Sequence, residues 1–485
     1  MDLLEAAQNR RESALGSLNA TRQSELGQFF TPIAVAKTIA EQIQLDAFAD
    51  NHEVIKILDP GAGSGVLMTA LTQRIFKEIP NAEIWVTAIE KDTELLPVLE
   101  DAAHELRAIG VKTTVVSADF IEWALEQKSN AFDLIVQNPP YKKLHSKSFH
   151  DTLLTDAGIK VPNLYAAFVR LSLDLLNPGG QVVAITPRSW TNGTYYKQFR
   201  KDLRDGFSLE HLYLFDSRSE VFGDMGVLQE SMITVIAGHQ QSQNIKVSIA
   251  KSSSGSAETV EYPVAAIIDN DFIFIPSGAA SSDTAQWMKQ ATHTLKDLGV
   301  SVSTGKVVGF RLKEYLLDSP TLFSVPLLYP ANIVNNEVIH PRATVKKSQW
   351  FDAPVDVQEK NTLDSGTYVL VKRFSAKEEK KRIVSAVLDV SAPTALDNKL
   401  NYLHADGQGI NGQLALGIHK WLSSSRVDQY FRIFSGHTQV NAGDLRSLPF
   451  PSKSQLLRLA DAEDSLVDSA VEDLFSYSDQ SKKAA

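Results

Sequence analysis

Apolar residues form short runs over the first half of the chain, and amphipathic stretches separate these runs. The runs predict buried strands at 54–58, 84–89, 111–116, 132–136 and 181–186. Between them, apolar side chains recur at helical spacing, most clearly before a Pro-Gly-Gly stop, at Leu164, Phe168, Leu171 and Leu175. This alternation predicts an α/β fold, a Rossmann-like doubly wound parallel sheet with helices on both faces.

The pattern changes after residue 240, where two apolar runs flank a serine-rich stretch and predict a hairpin. Irregular turns and short strands follow and predict a separate α+β domain. A last helix is expected from 454 to about 476. We therefore expect a helical arm, the sheet domain, a hairpin connector, an α+β domain and a C-terminal helix with a tail, at 1–28, 29–240, 241–284, 285–452 and 453–485.

Composition and charge exclude several kinds of function. The 485 residues contain no cysteine, which excludes disulfides, thiolate metal sites and a cysteine nucleophile. The formal net charge is −10, but residues 301–450 carry 18 Lys and Arg against 14 Asp and Glu. This asymmetry fits a rear domain that faces a polyanion and fits chance equally well. Without a membrane-length apolar run or a signal-peptide pattern, we expect a cytoplasmic protein with no membrane partner.

A glycine-rich segment from Asp59 to Gly65 follows the first predicted strand and opens a helix. Its glycines allow the backbone to turn tightly and to approach a ligand closely. Glu90 ends the next strand, where its carboxylate can hold a ribose diol, but this pattern alone fits a nicotinamide cofactor equally well. Asp119 and Phe120 add a polar and an aromatic group at the same sheet edge, with a helix cap and a core ring as the alternative interpretations.

The four residues from Asn138 to Tyr141 follow the fourth predicted strand and read Asn-Pro-Pro-Tyr. Two successive prolines cannot continue a ladder, so they stiffen the turn. A stiff turn at this sheet edge can present an amide oxygen, a proline carbonyl and an aromatic face together. This set suits an exocyclic amine on a heterocycle.

These motifs, in this order, resemble the gamma class of S-adenosylmethionine-dependent amino-methyltransferases that act on DNA adenine. A cofactor-closing motif at 28–32 precedes the glycine segment, and the match continues through 178–180 and 186–187. In the rear domain, 368–374 and 435–441 resemble type II restriction–modification methylases of the PstI/BsuBI type, which are Eco57I- and TaqI-like. The resemblance covers most of the chain between about 25 and 450.

The resemblance implies two sets of site residues. The residues expected to bind S-adenosyl-L-methionine are Phe30, Thr31, Pro32, Asp59, Pro60, Gly61, Gly63, Gly65, Glu90, Asp119, Phe120 and Asn138. The residues expected to carry catalysis are Asn138, Pro139, Pro140, Tyr141 and Tyr196. Tyr141 and Tyr196 would hold a flipped-out base. Tyr195 is an open alternative to Tyr196, and a further alternative is that Tyr195 and Tyr196 both pack their helix onto the sheet.

The implied function is site-specific methylation of adenine N6 in double-stranded DNA, which protects the DNA in a restriction–modification system. No metal is implied; we expect a monomer, with a separate cognate restriction endonuclease as its functional partner. An RNA or protein-glutamine methyltransferase remains an alternative, as does a non-catalytic DNA-binding subunit of a defence complex. The sequence does not reveal the recognition site.

Contacts with DNA are expected mainly in the rear domain, where positive charge is concentrated. The candidates are Lys381 and Arg382 for phosphates, and His437, Gln439 and Asn441 for base edges. Lys372 and Arg373, in the 368–374 motif, are further DNA-binding candidates. The basic cluster at 377–382 is also interpretable as a solvated helical face, and the 437–441 segment as a turn. Should the cluster play no role, the next candidates are Arg10, Arg11 and Arg22.

Overall fold

The computed structural model of the chain describes residues 3–17, 30–49, 54–127, 131–215, 231–239, 241–250, 257–269, 272–276, 279–375, 379–434 and 439–478. The chain divides into two compact units, Met1–Ile275 and Pro276–Ala485. The second unit therefore begins before the boundary at 285 that the change of pattern predicted. None of the helices in the described ranges is long and apolar enough to cross a membrane.

The strands of the first unit are β1 Ile55–Pro60, β2 Ile84–Glu90, β3 Lys112–Ser117, β4 Phe132–Gln137, β5 Leu176–Pro187, β6 Ser208–Phe215, β7 Ser231–Ala237, β8 Asn244–Ala250, β9 Ala257–Pro263, β10 Ile268–Asp269 and β11 Phe272–Ile273. Nine of them form one sheet in the order β3-β2-β1-β4-β5-β7-β6-β8-β9. The first five strands are parallel, and β7 is antiparallel to both of its neighbours. This arrangement confirms the predicted doubly wound sheet.

The helices of the first unit are α1 Leu3–Ser17, α2 Ile33–Glu41, α3 Asp46–Ala49, α4 Val66–Glu78, α5 Leu96–Ala108, α6 Phe120–Glu126, α7 Phe149–Asp156, α8 Leu164–Asp174, α9 Lys197–Gly206 and α10 Val264–Ile267. They cover two clusters of buried apolar side chains. Ile57 belongs to one cluster and its neighbour Leu58 to the other, because successive strand residues point to opposite faces of a sheet. Both faces of the sheet are therefore buried.

Two segments expected to be appendages belong to the first unit. The predicted hairpin is present as β8 and β9, but β8 also pairs in parallel with β6, so the hairpin continues the main sheet. In the N-terminal arm, Leu4 and Ala7 of α1 are buried in the same cluster as Ile57. Apolar side chains at helical spacing explain why this arm packs on the unit.

The strands of the second unit are β12 Ser301–Thr304, β13 Leu316–Leu317, β14 Val325–Leu328, β15 Ile333–Val334, β16 Glu337–Val338, β17 Trp350–Phe351, β18 Thr362–Leu363, β19 Gly366–Lys372, β20 Ser385–Val390, β21 Thr394–Leu396 and β22 Leu400–His404. They form an antiparallel sheet β12-β22-β19-β20, a five-stranded sheet β13-β17-β14-β21-β18 and a small hairpin. Its helices are α11 Ala279–Met288, α12 Val355–Asn361, α13 Gly412–Ser423, α14 Ser425–Phe434, α15 Ala442–Ser447, α16 Lys453–Ala460 and α17 Val467–Glu472. The predicted α+β character is confirmed.

The single C-terminal helix predicted from 454 to about 476 is wrong, because α16 ends at Ala460 and α17 begins at Val467. The buried ammonium of Lys420 explains the break. Its Nζ donates a hydrogen bond of 2.8 Å to the carbonyl of Ala460 and a second bond to the carbonyl of Ala462. A continuing helix would use these carbonyls for its own ladder.

Candidate functional site

A pocket of about 720 Å³, which includes part of the open solvent at its mouth, lies in the first unit at the carboxyl ends of the parallel strands. The strand order reverses between β1 and β4, and doubly wound sheets bind ligands at such a point. The structure brings eight of the predicted site residues into its wall: Phe30, Gly61, Gly63, Glu90, Asp119, Phe120, Asn138 and Pro140.

The glycine segment forms the turn between β1 and α4. Gly61, Gly63 and Gly65 have φ angles of 71°, 57° and 75°, in the left-handed region that favours glycine. At Gly65 a Cβ atom would also lie 2.8 Å from the Cβ of Ala102, so no side chain fits there. The segment therefore keeps its main chain close to the pocket, as the sequence predicted.

The carboxylate of Glu90 fixes the glycine segment to the end of β2. The main-chain N–H of Gly63 donates to Glu90 Oε2 at 2.9 Å, and the N–H of Asp92 donates to Oε1 at 2.8 Å. Glu90 is only 4% exposed, and this burial raises the pKa of its carboxyl, although the two N–H donors oppose the rise. The carboxylate thus lies in the pocket wall in a defined orientation.

Asp59 lies beneath the glycine segment rather than in the pocket wall. Its Oδ2 accepts a hydrogen bond of 3.1 Å from the N–H of Met68 in α4. Burial raises the pKa of Asp59 to about 7; the bond from Met68 opposes the rise, and the negative charge of Glu90 adds to it. Asp59 therefore supports the turn from below.

Asp119 combines both roles considered for it, since it lines the pocket and caps α6. Its Oδ1 accepts from the N–H of Ile121 at 2.9 Å, and its Oδ2 lies 3.1 Å from His150 Nε2 and 3.4 Å from Lys91 Nζ. Burial favours a higher pKa for Asp119, but the hydrogen bond from His150 and the charges of His150 and Lys91 lower it to about 2. The carboxylate is ionised at neutral pH.

His150 and Phe168 are pocket residues that the sequence reasoning missed. The ring of Phe168 lies 4.7 Å from that of Phe120, which is 2% exposed and forms both core and pocket wall. Phe168 was recognised only as part of an apolar stripe, and its spacing gave no hint of a ligand. His150 lies on a helix after the Asn-Pro-Pro-Tyr turn, where no pattern singles it out.

The Asn-Pro-Pro-Tyr turn follows β4 and reaches the pocket through Asn138 and Pro140. Asn138 Nδ2 donates to Thr31 Oγ1 at 3.1 Å, which joins the turn to the motif that precedes α2. Pro32 then caps α2 in an extended conformation. The bond between Asn138 and Thr31 connects residues that are more than one hundred positions apart in the sequence. Residues 28 and 29 of the predicted closing motif lie outside the described residues.

Three tyrosines form an aromatic cluster beside this turn. Tyr165 contacts both of the others, with its ring 6.2 Å from that of Tyr141 and 5.9 Å from that of Tyr196, on which it stacks at 18°. The hydroxyl of Tyr196 accepts hydrogen bonds from Asn163 Nδ2 at 2.6 Å and from the Tyr165 hydroxyl at 2.7 Å. Tyr195 is 84% exposed. Tyr196, and not Tyr195, therefore shares a cluster with Tyr141.

The second unit contains the residues predicted to contact DNA, and Arg382 is not at its surface. Arg382 is 1% exposed, its Nε donates to Ser375 Oγ at 3.2 Å, and its guanidinium lies 5.6 Å from the Phe431 ring. The structure therefore corrects the predicted phosphate contact at Arg382. Lys381 is half-buried, and its ammonium donates to the carbonyl of Ser423. Two members of the basic cluster, Lys381 and Arg382, therefore make contacts within the unit, whereas Lys380 is exposed and Lys377 lies outside the described residues.

The other predicted DNA contacts have mixed surroundings. Lys372 and Arg373, at the end of β19, are half-buried, and Gln439 forms an isolated bridge with Phe374. Asn441 is the N-cap of α15, which agrees with the alternative interpretation as a turn. His437 lies outside the described residues, as does Arg22. In the first unit, Arg10 pairs with Glu105, and Arg11 donates to the Phe30 carbonyl at 3.4 Å.

Comparison with known proteins identifies the family. A family model described as Eco57I restriction-modification methylase matches residues 64–222. The chain is 38% identical over 457 residues to Type II methyltransferase M.BsuBI of Bacillus subtilis, with 90% of each chain covered. It is 35% identical over 477 residues to Type II methyltransferase M.PstI of Providencia stuartii, with 94% of this chain and 92% of that protein covered. The chain belongs to the type II restriction–modification methyltransferases.

Two solved structures share the fold of this type II methyltransferase. One is the cryoEM structure of the DrdV–DNA complex, with a TM-score of 0.51, 13% identity and coverage of 94% of this chain and 58% of that chain. The other is a nuclease-deletion mutant of the Type ISP restriction-modification enzyme LlaGI with a DNA substrate mimic, with a TM-score of 0.51, 13% identity and coverage of 91% and 55%. At this identity the likeness shows the fold alone.

The environment of Asp59 predicts a pH-dependent stability. Because the pKa is about 7 in the folded protein and 3.8 ordinarily, the folded state holds an extra proton between these values. The free energy of unfolding should therefore fall as pH rises through this window, by at most about 1.4 kcal/mol per pH unit from this group. Asp59→Asn removes the titration, so this variant should gain stability relative to the wild type between pH 5 and pH 7. Denaturant unfolding at both pH values measures the difference, and an equal difference at both would contradict the assignment.

Proposed function

We propose that this type II methyltransferase is a site-specific DNA adenine-N6 methyltransferase that uses S-adenosyl-L-methionine and protects DNA in a restriction–modification system. One observation carries the proposal: a buried carboxylate suited to a diol and the amide of an Asn-Pro-Pro-Tyr turn line the same pocket, as Glu90 and Asn138. A cofactor held by the Glu90 carboxylate is then within reach of an amine held by the Asn138 amide.

The pocket residues fit the adenosyl part of this cofactor. Glu90 offers a fixed, buried carboxylate to the two ribose hydroxyls. Asp119 offers an ionised acceptor to an exocyclic amine, and Phe120 and Phe168 offer apolar surface to a flat ring. The glycine segment leaves main-chain surface where a side chain would otherwise stand.

When bound, the cofactor supplies a methyl group on a sulfonium, which is a good leaving group. We infer that the Asn138 amide oxygen and the Pro139 carbonyl accept hydrogen bonds from the adenine N6 amine. Positive charge develops on this nitrogen as its lone pair attacks, so both acceptors bind it more strongly in the transition state than in the ground state. The stiffness of the turn keeps the acceptors in position, and the Asn138 bond to Thr31 orients the amide.

Adenine N6 is inaccessible inside a stacked duplex, so the base has to rotate out at a cost of a few kcal/mol. We infer that Tyr141 and Tyr196 receive the rotated base, and stacking returns about 1–3 kcal/mol. Their shared neighbour Tyr165 holds the Tyr196 ring in place through a stacked contact and a hydrogen bond of 2.7 Å. The exposed Tyr195 lacks this support.

The partner in this proposal is double-stranded DNA, with the second unit as the target-recognition domain and a separate endonuclease as the functional counterpart. The family membership supports this assignment, since both close relatives are named as type II methyltransferases. The protein is expected to act as a monomer in the cytoplasm.

The proposed function predicts a specific methylated product. Purified protein with S-adenosyl-L-methionine and plasmid DNA should yield N6-methyladenine, because Asn138 begins the Asn-Pro-Pro-Tyr turn. In the wider family that the sequence resembles, Ser-Pro-Pro variants accompany N4-cytosine specificity instead. Mass spectrometry of digested DNA identifies the base, and long-read sequencing should locate it at one short recurring sequence. Asn138→Ala is the control for the site and should lose about 100- to 1,000-fold in turnover, the effect of removing one transition-state hydrogen-bond partner.

Three outcomes would refute the proposal. N4-methylcytosine in the DNA would contradict the adenine assignment. Methyl groups found only on RNA or on protein glutamine would favour the alternative enzyme. DNA binding without any methyl transfer would favour an accessory subunit.

The roles of the neighbouring Tyr195 and Tyr196 can be distinguished by substitution. Tyr196→Ala should lower kcat/KM for DNA by roughly 5- to 150-fold, which corresponds to the removal of one stacking ring. Tyr195→Ala, a matched removal of an exposed ring, should stay within about twofold, as expected for a surface change outside the site. With 2-aminopurine at the target position of a duplex, only Tyr196→Ala should alter the fluorescence response. A larger effect of Tyr195→Ala in both assays would reverse the assignment.

A further inference from the structure

An exposed aromatic ring stands among cations in the second unit, on the loop that follows β12. We call residues 305–313 the 305–313 loop. Its Phe310 is 80% exposed, and its three basic residues Lys306, Arg311 and Lys313 are exposed as well. The loop contains no Asp or Glu, in a chain whose net charge is −10, and the first acid after it is the exposed Glu314. Sequence reasoning singled out none of these residues.

The loop is held rigidly on the segment that links β21 and β22. The N–H of Gly305 donates to the Leu400 carbonyl at 2.8 Å, and the N–H of Val307 donates to the Leu396 carbonyl at 3.0 Å. A Cβ atom on Gly305 would lie 2.2 Å from the carbonyl oxygen of Asp397, so only glycine fits this approach. Val307 is 1% exposed and anchors the loop. Phe310 lies three residues beyond this anchor, in a turn closed by a hydrogen bond of 2.9 Å from the N–H of Arg311 to the Val308 carbonyl.

Further positive charge borders the same linking segment. The N–H of Arg373 donates to the Lys399 carbonyl at 3.0 Å, and its guanidinium donates to the Asn398 carbonyl at 3.1 Å. The acid of this segment, Asp397, is 3% exposed and accepts a hydrogen bond from the N–H of Lys399. The 305–313 loop and Arg373 therefore both contact the segment between β21 and β22, and Lys399 belongs to this segment.

Another exposed apolar tip in the second unit provides a contrast. Leu322 and Phe323 are 89% and 74% exposed. Their loop is bonded to an acid, since Thr321 Oγ1 donates to Asp352 Oδ2 at 2.6 Å. Ser348, two residues before β17, donates to Asp318 Oδ1 at 2.6 Å. A polyanion would be repelled from such a tip but attracted to the 305–313 loop.

We propose that the 305–313 loop, together with Arg373 and Lys399, is a DNA-contacting surface of this protein: its cations bind backbone phosphates and Phe310 packs against the bases of the duplex. The inference rests on the proposed function, because it specifies where DNA is held. Cations position a protein on the phosphate backbone without reading sequence. An apolar ring on a rigid loop can insert at a base step and bend the duplex there.

The test uses the full chain and two fluorescent duplexes, one with the sequence that the wild type methylates and one scrambled. Replacing Lys306, Arg311 and Lys313 together by Gln should weaken binding to both duplexes to a similar degree. It should also reduce the slope of log affinity against log salt by about 0.9 for each phosphate that the variant no longer neutralises. Lys360→Gln is the matched control, because this exposed lysine of the same unit lies 3.7 Å from Asp356, and its slope should be unchanged.

The ring is tested separately. Phe310→Ala should weaken binding to the duplex that contains the target sequence on the order of tenfold, the scale of removing one aromatic ring that stacks on a base. Phe323→Ala removes a ring of similar exposure at the apolar tip formed by Leu322 and Phe323. It should leave the affinity for this duplex unchanged. All variants should keep the circular dichroism spectrum and the thermal unfolding profile of the wild type, which shows that the second unit, which carries the substitutions, is folded.

The outcomes separate this inference from the proposed function. Unchanged affinity and salt slope in the triple variant and in Phe310→Ala, while the wild type still methylates DNA, would overturn the surface and leave the function intact. A weakening that is equal for Phe310→Ala and Phe323→Ala would also overturn it. A wild type that methylates no DNA would instead refute the proposed function itself.

Discussion

The hydrogen bond from the Gly63 N–H to the Glu90 carboxylate is the interaction on which the candidate site depends. It joins the turn after β1 to the end of β2 at 2.9 Å, and a second N–H, from Asp92, fixes the other carboxylate oxygen. A carboxylate that is 4% exposed is costly without such donors. Because the glycines permit the left-handed turn, the main chain can supply them. The pocket wall is therefore held by two backbone donors and one buried acid.

The sheet then brings distant parts of the sequence to this wall. Parallel strands end at one edge, so Glu90, Asp119 and Asn138 meet there although tens of residues separate them. The Asn138 bond to Thr31 ties the turn proposed for catalysis to the motif before α2. On the other side of the turn, Tyr165 connects Tyr141 and Tyr196. The pocket and the tyrosine cluster thus share one short, stiff turn.

Sequence reasoning predicted what local patterns determine: five strands of the sheet, the glycine turn and half of the residues in the pocket wall. It failed where a side chain's surroundings come from distant elements. Arg382 looked like part of a solvated cluster, but Ser375 and Phe431 enclose it. His150 and Phe168 face the pocket only because their helices pack beside it. The last helix was predicted too long, since the buried Lys420 that takes its carbonyls lies on another helix.

The central claim is that the Glu90 carboxylate, fixed by the glycine segment, holds the ribose of the methyl donor. A crystal structure of the full chain with S-adenosyl-L-methionine tests this claim most directly. We predict both ribose hydroxyls within hydrogen-bonding distance of Glu90, the adenine beside Asp119 and Phe168, and the sulfonium facing Asn138. An adenosyl group bound elsewhere, or a ribose without contact to Glu90, would contradict it.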